Sequence, residues 1–310
     1  MLRLRRGERV KYPHSSNFRM ICQLLFALQV SSYYNTDNSH KLTQPYNLLS
    51  RIDQSLKKVP YSKPILIGTT AASVGYFGLS KTPFTNRRKI ILMPRFLEQF
   101  LANVMYKMTY WQYKSALMPS NDKDYLRVSR VVNRLLIQNY NQIPKVNYTL
   151  HVINQNVANA FVFPNGKIFV FKGLLKYTET DDQLAAILGH EIGHVVGRHF
   201  AEKSTFSAVI HSIAAYANTN EDLSHAVSVL LDLKYSRTME YEADEIGLHL
   251  MTTACYDPIG AVQVWTNFEK SSKSTNIEFL STHPTHAHRK SQILNKIATL
   301  SQWRNNCLFK

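Results

Sequence analysis

The pattern of apolar and polar positions divides the second half of the chain into short strands followed by longer helices. Residues 147–153 alternate and are rich in β-formers, and residues 160–163 and 167–171 flank a Pro-Asn-Gly sequence that is typical of a hairpin turn. A helix is predicted over 181–203, because Thr180 can cap it and two acidic residues follow at its N-terminus.

Residues 94–140 are predicted to be helical on either side of a polar turn. The apolar residues on both sides recur at helical spacing, so we expect them to face the core: Phe96, Phe100, Val104 and Met108, then Val128, Val131, Val132, Leu135 and Leu136. Residues 204–217 and 223–233 are also apolar at helical spacing. We expect both segments to pack in the core. The alternative is that they lie against a bilayer, since neither is long enough to span one.

The N-terminal part of the chain carries the whole of its net charge of +16. Residues 1–134 hold 22 basic and 6 acidic residues, whereas residues 135–310 hold 15 of each. Residues 1–35 are rich in arginine and almost free of acid, which is typical of a mitochondrial transit segment. A secretory signal is the first alternative, because residues 20–30 are apolar, and a plain basic tail is the second.

An uncharged stretch at 64–80 is the candidate membrane anchor. Its 17 residues reach about 25 Å as a helix, the short end of a bilayer crossing, so a buried core helix is the alternative. The flanking charges do not orient it. The expected organisation is completed by a linker over 36–63, a catalytic domain over 90–303 and a tail over 304–310.

Composition excludes several classes of protein. With 310 residues, 45% apolar and 19% charged, the chain is neither disordered nor a disulfide-stapled mini-protein. A basic nucleic-acid-binding protein is disfavoured, because the half that carries the strand and helix patterns is neutral. Three cysteines lie outside any metal-type spacing, and three free thiols are the simplest interpretation: Cys22, Cys255 and Cys307.

The predicted helix over 181–203 contains the sequence His-Glu-Ile-Gly-His. His190 and His194 are four residues apart, so both imidazoles lie on one face and can bind one zinc ion. Glu191 is turned away from the pair and adjacent to it, where a general base can take a proton from water at the metal. Three glycines in the same helix, each costing about 1 kcal/mol, indicate close approach to another backbone: Gly189, Gly193 and Gly197.

A third ligand is available downstream, in the sequence Glu240-Tyr-Glu-Ala-Asp244. These two acids are also four apart on one helix face. One can bind the metal while the other accepts a hydrogen bond from the ring nitrogen of a ligand histidine that does not bind the metal. Two histidines and a glutamate leave a tetrahedral zinc one open position, which is the catalytic pattern. His199 is out of phase with the ligand face and is expected to be structural.

These motifs, together with Ser281-Thr-His283-Pro and Arg289, resemble the zinc metallopeptidase family that contains the CAAX prenyl proteases and the bacterial protease HtpX. The resemblance implies zinc bound by His190, His194 and Glu240, Glu191 as the base, and Asp244 behind the ligands. It implies that His283 donates a hydrogen bond to the oxyanion, with a turn cap as the alternative. A single short apolar segment makes the chain similar to the mitochondrial inner-membrane members.

Those members imply a catalytic domain that faces the intermembrane space, where thiols can be oxidised. A disulfide between Cys255 and Cys307 is then a reasonable hypothesis. The hairpin adds a substrate site, because an exposed sheet edge can bind an extended peptide through its backbone. We expect that edge at Asn159, Ala160 and Phe161, with an ordinary covered strand as the alternative.

The sequence therefore predicts an α+β, mostly helical, zincin-like metallopeptidase domain with a small β-sheet, preceded by one transmembrane helix. The expected function is zinc-dependent cleavage of membrane-associated proteins at the mitochondrial inner membrane, in quality control and stress-linked processing. Its partners would be polypeptides and the lipid bilayer, without nucleic acid, and self-association into a homo-oligomer is left open. The alternatives are a prenyl-protein protease of the endoplasmic reticulum and a membrane scaffold without turnover.

Overall fold

A computed structural model describes residues 79–217, 221–272, 277–283, 288–300 and Cys307, with the side chains of 209–236, Ser272 and Thr282 outside this set. All of these residues belong to one unit, Thr69–Lys310. The predicted transit segment, the linker and residues 64–78 of the predicted membrane helix lie outside the described residues. So do residues 304–306 and 308–310 of the predicted tail and the side chains of residues 223–233. No helix in the described part is both long enough and apolar enough to cross a membrane.

Two small sheets accompany the helices, one before the first described helix and one between the second and the third. A hairpin of β1 (Leu79–Lys81) and β2 (Arg88–Ile90) comes first, so Leu79 and Ser80 of the predicted membrane helix lie in a strand. The main sheet has the order β3-β5-β4, with β3 (Thr149–Ile153) parallel and β4 (Ala160–Val162) antiparallel to β5 (Lys167–Phe171). The Asn-Gly hairpin predicted from the sequence is therefore present.

Eight helices are described, and they make the fold mostly helical as predicted. The first two are α1 (Arg95–Tyr113) and α2 (Lys123–Gln138), and α2 is capped by Asp122. The long central helices are α3 (Asp181–Val196), α4 (His199–Ala217) and α5 (Glu221–Thr253). The C-terminal ones are α6 (Ile259–Ser272), α7 (Glu278–Thr282) and α8 (Arg289–Thr299).

The helix predicted over 181–203 is in fact two helices. Thr180 caps α3 by accepting a hydrogen bond from the Gln183 backbone N–H, as expected. The helix ends at Gly197, and Arg198 has φ of 49°, a left-handed conformation that a helix cannot contain. The chain therefore changes direction and starts α4 at His199, which resets the helical phase.

The main sheet is covered on both faces. Phe169 and Phe171 of β5 pack against Ala102 of α1. Ile168 and Val170, on the opposite face, belong to the main core with α2, α3, α5 and α6. This alternation follows from the period of two along a strand. Four predicted core residues of α2 are buried as expected: Val128, Val131, Val132 and Leu135.

The expected core face of α1 is wrong. Phe96, Phe100 and Met108 are exposed, and Leu97, Leu101 and Ala102 are buried in their place. Both sets have helical spacing and are apolar, so periodicity could not decide which of them would face the sheet. Charge does not help either, because Glu98 lies on the buried side, where it is paired with Arg198.

The crossing of α3 and α5 brings two backbones into contact. A methyl group at Gly193 would lie 2.8 Å from the Ala243 carbonyl oxygen, and one at Gly247 would lie 2.8 Å from the His190 nitrogen. Glycine at these positions lets the helices approach more closely than side chains allow. The close backbone approach predicted from the glycines of α3 is thus present, although Gly197 caps the helix instead.

The C-terminal region is closed by Cys255 and Cys307, whose Sγ atoms lie at bonding distance, 2.09 Å, with Cα atoms 5.6 Å apart. The segment between them contains α6, α7 and α8. This bond fastens Cys307, beyond the end of α8, to the residues that directly follow α5.

Replacing Gly193 with alanine tests the helix crossing. Alanine is the better helix former by about 1 kcal/mol, so an effect of helix propensity alone would stabilise the protein. We expect the opposite sign, a loss of about 1–3 kcal/mol in the free energy of unfolding, because the methyl group forces α3 and α5 apart. Urea denaturation of wild type and variant measures this, and a stabilised variant would contradict the crossing.

Candidate metal centre

Three elements bring four potential ligands together. Helix α3 supplies His190 and His194, α5 supplies Glu240, and the residue that ends α7 is His283. Donor atoms of these four side chains all lie within 4.8 Å of one another. A single cation can therefore contact atoms from three separate parts of the fold.

The distances between the donor atoms fit a tetrahedral metal. His190 Nε2 lies 3.0 Å from His194 Nε2 and 3.3 Å from Glu240 Oε2, and His194 Nε2 lies 3.4 Å from Glu240 Oε1. Ligands about 2.0–2.1 Å from a zinc ion are separated by about 3.3 Å in a tetrahedron. Each imidazole nitrogen thus lies about one such separation from the other nitrogen and from one Glu240 oxygen, which suits ligands that share one zinc ion.

Hydrogen bonds from behind select which nitrogen faces the centre. Asp244 Oδ1 lies 2.9 Å from His190 Nδ1, so Nδ1 donates and Nε2 is left for a metal. His199 Nδ1 lies 2.8 Å from His194 Nδ1, and His199 Nε2 donates to Glu242 Oε2 at 2.8 Å. In this series of hydrogen bonds each imidazole donates one proton away from the centre. Both ligand histidines therefore present a lone pair to the centre.

The pKa values agree with a site for one positive charge. Burial lowers the pKa of His190, but hydrogen bonds to Asp244 and Glu240 outweigh burial and raise it to about 9. Burial holds the pKa of His194 well below its usual range, and burial also lowers that of His199. The cluster thus attracts one cation, either a proton on His190 or a metal ion, and the two compete.

Arg289 fixes the carboxylates from the C-terminal side. Its Nε and one terminal nitrogen donate to both oxygens of Asp244 at 2.8 and 2.7 Å, and its other terminal nitrogen donates to Glu240 at 3.2 Å. The guanidinium stacks 4.0 Å from the centre of the Trp265 ring, and the residue is fully buried. It compensates the negative charge that α5 places beside the ligands.

Arg87 performs the same task on the opposite side, from the β1–β2 hairpin. It donates to Glu242 at 2.6 and 3.0 Å and to both oxygens of Glu202 at 2.7 and 2.6 Å, while the Thr85 hydroxyl donates to Glu242. His199, Glu202 and Glu242 also have donor atoms close enough for a metal. Arg87 already supplies the cation there, so we interpret this group as a support of His194.

Glu191 has the environment of a proton carrier. Its Oε1 is buried without a hydrogen-bond partner in the described residues, and His283 Nε2 lies 3.3 Å from it. Burial raises the pKa of Glu191 against the opposing effect of His283 and His190. A carboxylate with an unsatisfied oxygen and a raised pKa can take up and release a proton more readily than an exposed glutamate.

The structure places His283 closer to the ligands than an oxyanion donor requires. His283 Nδ1 lies 3.1 Å from Glu240 Oε2 and 3.3 Å from His190 Nε2, and the ring stacks on Phe279. This position also suits a fourth ligand. Motif spacing alone does not separate an oxyanion donor from a fourth ligand.

The strand predicted as a substrate edge lies beside the site. Among the described residues β4 pairs only with β5, and the register directs the backbone groups of Ala160 and Val162 to the outer side. The Ala160 N–H is already bonded to the Asn159 side chain, which in turn donates to Glu278 of α7. Phe161 is half-buried and stacks on Phe169.

His199 and Arg87 are the functional side chains that the sequence did not identify. Counting along one unbroken helix places His199 out of phase with the ligand face, whereas the left-handed Arg198 ends that helix and a new one begins at His199. Gly197, two positions before His199, was the available signal, since glycine is common at the ends of helices. Nothing in the local sequence connects Arg87 with Glu242, 155 positions away.

A helix with His-Glu-x-x-His, packed against a helix that supplies a third ligand, is the arrangement of zincin-type metallopeptidases. A family model described as Peptidase family M48 matches residues 122–297. The chain belongs to this family, as its motifs predicted.

Curated relatives agree with that assignment. The chain is 38% identical over 218 residues to the mitochondrial metalloendopeptidase OMA1 of Schizosaccharomyces pombe, which covers 68% of this chain and 64% of that protein. It is 32% identical over 248 residues to the Saccharomyces cerevisiae protein of the same name, covering 74% and 70%. The human metalloendopeptidase OMA1, mitochondrial, is 31% identical over 250 residues, covering 74% and 48%. The match thus spans just under two thirds of the first relative and about half of the human one.

Replacing His199 tests its support of His194. In His199→Phe the ring nitrogen that accepts from His194 is lost, and we expect zinc affinity to fall about 10–100-fold. Competition with a chromophoric chelator measures the affinity. His249→Phe is the matched control, because His249 stacks on Phe84 away from the centre. Equal affinity in wild type and His199→Phe would remove this role.

Proposed function

We propose that this chain is a zinc-dependent endopeptidase of the mitochondrial inner membrane. It would cleave membrane-associated proteins in quality control and stress-linked processing. The observation that carries the proposal is the convergence of two imidazoles and Glu240 at tetrahedral spacing, with the unsatisfied oxygen of Glu191 beside them. This geometry favours hydrolysis over a scaffold without turnover, because a scaffold has no need of a buried carboxylate oxygen that lacks a hydrogen bond.

His190, His194 and Glu240 would hold the zinc ion. When bound, zinc supplies Lewis-acid polarisation of a carbonyl oxygen and lowers the pKa of water. Glu191 takes the proton of the attacking water on Oε1 and later donates it to the leaving amine, as its raised pKa permits. Asp244 and His199 keep the outward nitrogens of the two ligand imidazoles bonded, so the ligand face does not rotate during turnover.

We assign His283 to the substrate. Its Nε2 faces Glu191 at 3.3 Å, and a donor at that position can stabilise negative charge on the reacting carbonyl. As a fourth ligand through Nδ1, His283 would fill the open position that catalysis requires. The two roles give different results when the side chain is removed.

We propose that the substrate backbone pairs with the outer side of β4. Asn159 is held by Glu278, and the Phe279 N–H donates to the Ala158 carbonyl, so the start of β4 is joined to the helix that ends at His283. A peptide that adds to this edge would run toward the metal ligands. Backbone pairing suits a protease with many substrates, because it does not depend on side chains.

The mitochondrial location is supported by the basic, acid-poor N-terminal sequence and by the names of the relatives. We further propose a single membrane anchor within 64–78, ahead of β1, with the metal centre on the intermembrane-space side. A prenyl-protein protease of the endoplasmic reticulum is the alternative within the same chemistry. Import of the full chain into isolated mitochondria, followed by protease protection after the outer membrane is opened, separates the two locations.

Replacing Glu191 with glutamine tests the chemistry. Glutamine is nearly isosteric but cannot accept a proton, so we expect zinc to be retained and proteolysis to be lost. The measurements are zinc content of the purified full chain and cleavage of casein. Glu269→Gln is the control, because Glu269 is exposed and bonded to Lys290. Undiminished cleavage by Glu191→Gln would eliminate Glu191 as the base.

Replacing His283 with alanine separates its two roles. If His283 acts on the substrate, turnover falls about 10²–10³-fold while zinc affinity stays within a few-fold of wild type. If it is a ligand, zinc is lost together with activity. Zinc affinity by chelator competition and kcat on casein are measured on the same samples, and loss of zinc would contradict the assignment to substrate.

A proline at Val162 tests the edge strand. The Val162 N–H points away from β5, so proline removes a group available to the substrate without breaking the ladder. We expect a several-fold higher KM for casein with kcat nearly unchanged. Val162→Thr keeps the N–H and serves as the matched control. An unchanged KM in a variant with the wild-type unfolding midpoint would place the substrate elsewhere.

A further inference from the structure

One side of α1 is apolar and exposed to an unusual degree. Phe96, Phe100, Met108 and Trp111 have 55%, 59%, 39% and 69% of their surface exposed. The spacing of these residues places them along one side of the helix, and we call this side, with Lys107 and Lys114, the outer face of α1. The three aromatic residues alone expose roughly 350 Å², which approaches the largest patch of a typical soluble monomer.

The helix cannot rotate to bury this face. Its inner side is fixed by Ala102 against the phenylalanines of β5 and by Glu98, which accepts from Arg198 at 2.9 and 2.7 Å. A third side is tied to the β4–β5 turn, where Gln99 donates to the Pro164 carbonyl and Asn165 donates to Asn103. The outward direction of the aromatic residues is therefore a property of the folded domain.

The charge of the outer face has one sign. Glu98 is the single acidic residue of α1, and it is buried and paired on the inner side. The charged residues that remain exposed along the helix and at its end are Arg95, Lys107 and Lys114. The Lys114 ammonium lies 4.6 Å from the centre of the Trp111 ring. Aromatic side chains between exposed cations are the composition of helices that lie in the headgroup region of an anionic bilayer.

We propose that the outer face of α1 lies on an anionic lipid bilayer and inserts Phe96, Phe100 and Trp111 between the headgroups. The inference rests on the membrane location under the proposed function and adds the surface that makes the contact. A second copy of the chain fits less well, because a two-fold contact of this face would bring like charges together without an acid to pair them.

The contact has a consequence for substrates. Helix α1 packs directly on the main sheet, whose outer strand β4 is the proposed peptide-binding edge. A bilayer against the outer face therefore keeps that edge close to the lipid surface. Segments of membrane proteins that emerge from the bilayer would therefore encounter β4 more often than soluble proteins do.

The experiment measures quenching of Trp111 by lipid. The full chain is reconstituted in vesicles of phosphatidylcholine and phosphatidylglycerol with bromine on the upper acyl carbons. The difference in emission between wild type and Trp111→Phe isolates Trp111 from the other tryptophans. We expect bromine to quench about half of this difference signal, because an interfacial helix inserts its aromatic residues to the acyl boundary.

The matched control moves the tryptophan to another exposed apolar position. Leu126 of α2 is 54% exposed, and we expect Leu126→Trp in the Trp111→Phe background to be unquenched. Charge reversal of Lys107 and Lys114 to glutamate, or vesicles without phosphatidylglycerol, should reduce quenching of Trp111 several-fold.

Three results would overturn the proposal. They are equal quenching at positions 111 and 126, quenching that ignores both charge reversal and lipid charge, and no quenching at Trp111. No quenching combined with crosslinking between copies through Phe100→Cys would assign the outer face to a second copy instead.

The test is separate from that of catalysis. The Glu191→Gln chain should show the same quenching of Trp111 as wild type. A Phe100→Ser, Trp111→Ser chain should cleave casein at the wild-type rate, because neither residue contacts the metal centre. Failure of the protease assignment and failure of the membrane contact therefore appear in different measurements.

Discussion

The close crossing of α3 and α5 is the constraint on which the site depends. Glycine at 193 and 247 lets the two backbones touch, with Ala243 as the neighbour. At that distance the imidazoles of α3 reach the carboxylate of Glu240. The third ligand therefore comes from a helix and not from a loop. A crossing wider by a methyl group would still form a helical core, but it would separate the ligands.

The second requirement is compensation of buried charge. Helix α5 carries three buried acids within five residues, Glu240 and Asp244 toward the metal and Glu242 toward His199. Several kcal/mol would be lost for each of these charges without a partner. Arg289 and Arg87 provide the partners, one on each side of the helix. The β1–β2 hairpin and α8 are therefore parts of the metal centre, although neither supplies a ligand.

The sequence was most informative where chemistry is local. His190, Glu191 and His194 are read from one helical turn, and the strand–turn–strand pattern before them follows from alternation and Asn-Gly. It was least informative where partners are distant or patterns are ambiguous. Two apolar stripes on α1 satisfied the same periodicity, and only the contact with β5 selects between them. The break at Arg198 depends on a single positive φ, and that break brings His199 back to His194.

The two arginines also set an order in time. Arg87 leaves the ribosome well before the histidines of α3, whereas Arg289 follows Glu240 by 49 positions. A nascent chain thus presents every ligand while Asp244 and Glu240 still lack their C-terminal counter-charge. Completion of the centre waits for α8, so a newly made molecule has its finished metal site only after Arg289 has been synthesised.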